Sequence, residues 1–164
     1  MPPPTPNPTP TPTPTPITIG ETNILTTDDS GNGNLLIAQD ASLAQTATIQ
    51  SLSFYVTVAG GNLRLGIYDA AGPSGGPGAK KAETASFTPV VGWNTANVIT
   101  PASLSAGTYW LAYLPSSNTL AFKKDTTAGI SGKYYTYAYG TMPATFSTAP
   151  ASTTSHRSLY ATLN

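Results

Sequence analysis

From Ile17 onward the chain alternates short β-favouring runs with clusters of Gly, Pro, Asn and Ser. In "TATIQSLSFYVTV" the period-2 rule puts Leu52, Phe54, Val56 and Val58 on one face. In "LRLGIYDA" it puts Leu63, Leu65 and Ile67 on one face, with Arg64 and Tyr68 on the other. "GTYWLAYLP" is apolar on both sides: Tyr109, Leu111 and Tyr113 on one, Trp110, Ala112 and Leu114 on the other. That two-sided pattern predicts a strand in the middle of a sheet. "ITIGETNIL" reads as a first strand, and "DDSGNGN" as the turn before a second strand, "LLIAQDASLA". "AGGN" turns the chain, and "GPSGGPG" is a loop. "AETASFTPV", "GWNTANVIT", "TLAFKK", "KYYTYAYG" and "SLYATLN" bring the total to about ten strands. No segment carries a 3.6-residue apolar period. The expectation is an all-β fold, an antiparallel β-sandwich of jelly-roll type, over residues 17–164.

Residues 1–16 follow a different rule. "PPPTPNPTPTPTPTP" has no apolar side chain larger than proline. Proline fixes φ near −65° and pushes the preceding residue towards extended geometry. Alternating Thr-Pro therefore predicts a polyproline II linker, roughly 45 Å long at about 3.1 Å per residue. A domain of this size is roughly 40 Å across, so the linker can reach past one neighbour. Thr5, Thr9, Thr11, Thr13 and Thr15 offer hydroxyls on an extended chain, the usual setting for O-linked sugars. Asn7 precedes Pro8, which rules out an N-linked sequon there.

Composition narrows the function classes. Seven Lys and Arg balance seven Asp and Glu, and only 9% of the 164 residues are charged. No basic run exceeds two residues, which argues against nucleic acid as a partner. No apolar run approaches the roughly 18 residues of a membrane span. Met1 runs straight into prolines, so the expectation is a chain without a signal peptide, as in a mature secreted fragment. There is no cysteine, which excludes disulfides and thiol chemistry. Low charge with abundant Thr, Ser, Ala, Gly and Asn suits an extracellular bacterial β protein, secreted or on the cell surface.

Candidate chemistry is sparse, and no enzyme is expected. The single histidine, His156, lies in the polar stretch "TTSHRS" and reads as a solvated loop residue. Neither an orienting partner nor a nucleophile elbow is spaced around it. The acids Glu21, Asp28, Asp29, Asp40, Asp69, Glu83 and Asp125 show no pairing that points to glycoside hydrolysis. No cofactor is indicated. Asp28, Asp29, Asn32 and Asn34 crowd oxygens around two glycines, a pattern that suits either calcium or a plain hairpin turn. Tyr135, Tyr137 and Tyr139 share one face of a strand; exposed they make a platform for sugar stacking, buried they fill a core or an interface. Trp93 carries the same two readings, whereas Trp110, in the most apolar strand, is expected in the core.

The stretches "GNLRLGIYDAAGPSGGPGA" and "GWNTANVITPASLSAGTYWLAYLPSS" resemble a domain type of secreted multidomain proteins from environmental bacteria. The resemblance covers most of residues 20–164 and rests on Leu63–Asp69, Gly92–Thr95 and Ala106–Tyr113. It implies a jelly roll joined to its neighbours by Pro/Thr linkers, and two roles. One is a subunit of glycan-coated extracellular filaments, in which a β domain receives a strand from the next copy. The other is a carbohydrate-binding module beside a polysaccharide-degrading enzyme, with Trp93, Tyr135, Tyr137 and Tyr139 for stacking. The first is the expectation taken forward: identical subunits in a head-to-tail polymer carrying covalent glycans. Residues 17–26 are the candidate exchanged segment, with Ile17, Ile19, Ile24 and Leu25 as its apolar anchors.

Overall fold

The structure is a computed structural model that describes residues 15–126 and 129–164. The polyproline II expectation and Thr5, Thr9, Thr11 and Thr13 fall outside these residues; Thr15 and Pro16 lie at their start and are exposed. The elements are β1 (Ile17–Gly20), β2 (Thr27–Ser30), β3 (Leu35–Leu43), β4 (Ala47–Val58), β5 (Leu63–Asp69), β6 (Lys80–Glu83) and β7 (Gly92–Asn97). They continue with β8 (Ser103–Leu104), β9 (Gly107–Pro115), β10 (Ala121–Thr126), β11 (Gly132–Thr136), β12 (Ala151–Thr153), β13 (Ser155–Arg157) and β14 (Leu159–Leu163). One 3₁₀ turn, Pro73–Gly75, interrupts an otherwise all-β fold. No helix among the described residues is long and apolar enough to cross a membrane.

The strands form two antiparallel sheets of eight and six strands. In the first, the order is β1-β14-β4-β10-β13, with β2 on β10 and with β7 and β8 on β4. In the second it is β12-β11-β3-β9-β5-β6. The core between them draws Leu52, Phe54, Val56 and Phe122 from one sheet and Leu65, Ile67, Leu111 and Tyr113 from the other. Phe54 anchors it, stacked 4.8 Å from Tyr113 and tilted 5.3 Å from Phe122. The period-2 reading of β4 holds for Leu52, Phe54 and Val56, all fully buried, but Val58 emerges at the strand end, 53% exposed.

β9 lies between β3 and β5, as its two-sided apolar pattern predicts. Its second face belongs to a separate cluster: Trp110, Ala112 and Leu114 join Leu36, Ala38 and Tyr68 under Met142 and Phe146. The segment after β11 folds over this outer face. It is pinned by Glu83, which accepts from the Met142 N–H at 3.0 Å and from Lys80 Nζ at 2.7 Å.

Two readings change in the fold. The first strand ends at Gly20 and does not run on through Leu25, because Gly20 adopts φ 100°, outside the β region. The start of the stretch read as a turn, "DDS", belongs to the edge strand β2, paired to β10 through Asp28↔Lys123 and Asp29↔Phe122. Opposite charges across that ladder stabilise a pairing that side-chain propensity alone disfavours.

Sheet one is split at one end. β10 pairs with β4 only at Ala121 and Phe122, then continues along β13 from Lys124 to Thr126. Residues 155–163 fill the fork, β13 against β10 and β14 against β4. Ser158 marks the apex: its N–H donates to the Lys123 carbonyl at 3.2 Å, and its own carbonyl accepts from the Tyr55 N–H at 3.0 Å.

Candidate functional site

The first described strand is also an edge. β1 pairs on one side only, with β14, in the register Ile17↔Leu163, Thr18↔Thr162, Ile19↔Ala161 and Gly20↔Tyr160. The alternation of "ITIG" drives Ile19 into the core at 5% exposure, leaves Ile17 packed at its margin and turns Thr18 outward. Gly20 fixes the register. A Cβ there meets the Leu159 carbonyl oxygen and Leu111 Cδ1, each at 2.6 Å, and its φ disfavours any L side chain.

After Gly20 the chain leaves the ladder. The Glu21 N–H still donates to the Leu159 carbonyl at 2.9 Å, and the Glu21 carboxylate lies 3.5 Å from His156 Nε2. The Leu25 N–H donates to Ser158 Oγ at 2.9 Å. Between these anchors Thr22, Asn23 and Ile24 are exposed, Ile24 by 52%. Of the four residues read as strand-exchange anchors, Ile17 and Ile19 therefore sit in the strand, while Ile24 and Leu25 belong to the connection that follows. In this single chain the ladder is closed within the same molecule.

His156 is not a solvated loop residue. It sits in β13, 3% exposed, with Nδ1 buried and lacking a hydrogen-bond partner among the described residues. Its acidic neighbour is Glu21. Sequence reasoning missed the burial because "TTSHRS" is polar, and only the position of β13 between β10 and sheet two encloses it.

The oxygen-rich stretch disperses its ligands. Asp28 pairs with Lys123 at 3.1 Å, and that hydrogen bond holds its carboxyl below the usual carboxylate range. Asp29 pairs with Lys124 at 3.0 Å. Asn32 Nδ2 donates to the Tyr113 hydroxyl at 3.1 Å, and Asn34 Oδ1 accepts from the Tyr139 N–H at 2.9 Å. The four point to four different partners, and no cluster of three or more His, Cys, Asp or Glu suited to a metal occurs among the described residues.

The three tyrosines do not share a strand, because β11 ends at Thr136 and only Tyr135 lies in it; they split between packing and rim. Tyr135 stands edge-on to Phe146 at 4.9 Å and to Tyr137 at 6.0 Å. The Tyr137 hydroxyl donates to the Thr141 carbonyl at 3.1 Å, and the Tyr139 hydroxyl hydrogen-bonds Ser86 Oγ. All three are half-buried against the outer cluster of sheet two. Trp110 is in that cluster at 4% exposure, its indole N–H donating to the Gly75 carbonyl at 3.0 Å. Trp93 lies on the outer face of sheet one between Tyr55 and Tyr160, at 5.4 and 5.0 Å, with interplanar angles of 73° and 66°. Edge-to-face rings satisfy each other and offer no coplanar surface.

No protein-family model matches this chain, and no curated protein matches it either.

Proposed function

We propose that this chain is a non-enzymatic structural subunit of an extracellular bacterial filament. Each jelly-roll domain takes its edge strand from the neighbouring copy and passes its own, through the Thr/Pro linker, to the next. The observation that carries the reading is β1. It is an edge strand at the start of the described fold, it holds on through one ladder and one buried isoleucine, and an exposed connection follows it. The same strand from a second copy makes the same ladder, so exchange costs no native contact. The contact is head-to-tail, and without closure it propagates as a fibre. The threonines of the linker, Thr5 to Thr15, take O-linked sugars that protect the exposed chain.

The carbohydrate-binding module is the weaker reading. It needs a flat aromatic surface, and the rings around Trp93 and Tyr135 stand edge-on.

Electron microscopy and light scattering of the purified full chain test the proposal. Fibres with an axial repeat of roughly one domain width, about 40 Å, are expected. A chain lacking residues 1–20 should stay monomeric and should bind a synthetic peptide of residues 15–21. A full chain that remains monomeric at high concentration overturns the reading, as does a truncated chain that still forms fibres.

A further inference from the structure

The forked end of sheet one opens a cleft of about 290 Å³ between the two sheets, and Arg157 lines it. Arg157 is 5% exposed. Its Nη1 donates to the Ser155 carbonyl at 2.7 Å, and its guanidinium carbon lies 5.7 Å from the centre of the Tyr113 ring. Its Nε is buried with no hydrogen-bond partner among the described residues. No carboxylate forms a salt bridge with it there either: the carboxylate on the neighbouring β2, Asp29, is held by Lys124 at 3.0 Å. Residues 1–14 and 127–128 carry no Asp or Glu side chain that could pair with it.

A buried cation without a counter-charge is costly, and buried arginines are normally paired. The other polar groups of the cleft are Lys124, Asn32, Tyr134, Ser152, Thr153 and Ser155. Asp29 balances Lys124, which leaves the cleft with one uncompensated positive charge. Hydroxyl and amide groups surround a planar donor that matches oxyanions two atoms at a time.

We propose that this cleft is an oxyanion-binding site, with Arg157 as its cationic ligand and the hydroxyls of Tyr134, Ser152 and Thr153 beside it. It takes a carboxylate or a sulfate, either free or carried on an acidic sugar. The site stands apart from β1 and is independent of the filament reading.

Titration calorimetry of the full chain with sodium sulfate and with galacturonate, each against sodium chloride at matched ionic strength, tests it. Saturable binding of at least one anion is expected, with galactose inert. Arg157→Gln should weaken binding about tenfold or more. Tighter binding of galacturonate than of sulfate identifies an acidic sugar as the ligand; the reverse identifies a free anion. If Arg157→Gln does not fold, the assigned Arg157 Nε–H resonance of the wild-type chain decides, since it must shift saturably as the anion is added. No binding beyond the chloride control overturns the proposal. So does unchanged affinity in a folded Arg157→Gln, or an Nε–H signal that stays in place.

Discussion

The side-chain amide of Gln39 pairs with the backbone of Arg157 as a strand would. Its Oε1 accepts from the Arg157 N–H at 2.8 Å, and its Nε2 donates to the Arg157 carbonyl at 3.1 Å. Gln39 is on β3 and Arg157 on β13, so the pair ties the two sheets together where sheet one forks. β13 is short, and this amide, from a residue only 3% exposed, satisfies both backbone groups of its last residue.

Replacing Gln39 by Leu leaves both groups buried and unpaired. The expected loss is about 2–4 kcal/mol, since each orphaned group costs roughly 1–3 kcal/mol. Urea denaturation of the variant measures it. Hydrogen exchange should show the loss of protection starting at residues 155–158.

Gly20→Ala should loosen β1 and leave the rest of the fold in place. The added Cβ has to displace the Leu159 carbonyl or Leu111, and the backbone is in a region that alanine disfavours. Faster amide exchange at Ile17 and Ile19 is expected, with exchange in β3, β9 and β5 unchanged. The cost is on the order of 1–3 kcal/mol.

Acid should weaken the loop between β5 and β6. Burial opposes the charge on Asp69, but Lys81 at 2.7 Å and the N–H groups of Ala79 and Ala71 outweigh it and hold the carboxyl below its usual range. A depressed folded pKa gives stability that is present above the unfolded value, about 3.9, and is lost as pH falls through the folded one. Stability measured from pH 6 down to pH 2 should therefore fall below about pH 4. Asp69→Asn should flatten that part of the curve.

Alkali should expose a different pair. Burial raises the Tyr68 and Tyr113 hydroxyls above the ordinary tyrosine value. A raised folded pKa gives stability that is complete below about pH 10 and is lost as pH rises beyond it. In a spectrophotometric titration of the nine tyrosines, these two should ionise only as the protein unfolds. Tyr68→Phe should remove one tyrosine from that late phase.

The strands with strong alternation were legible from the chain alone. β4, β5 and β9 follow from their own side chains, because a face buried along its length must be apolar along its length. β2 was not, since "TDDS" has no apolar face and owes its place to Lys123 and Lys124 on the neighbouring strand. The same limit hid Gln39, Arg157 and the burial of His156. Each depends on a partner more than a hundred residues away in sequence, or on a fork that no local pattern encodes.

The sequence by itself determined an all-β chain of low charge with a Thr/Pro tract ahead of its strands, because alternation and proline content act locally. Only the tertiary structure decided which strand closes the sheet, where the sheets part, and which arginine has no salt-bridge partner among the described residues. Those outcomes depend on long-range pairing, in which a group's surroundings come from strands that the chain reaches much later.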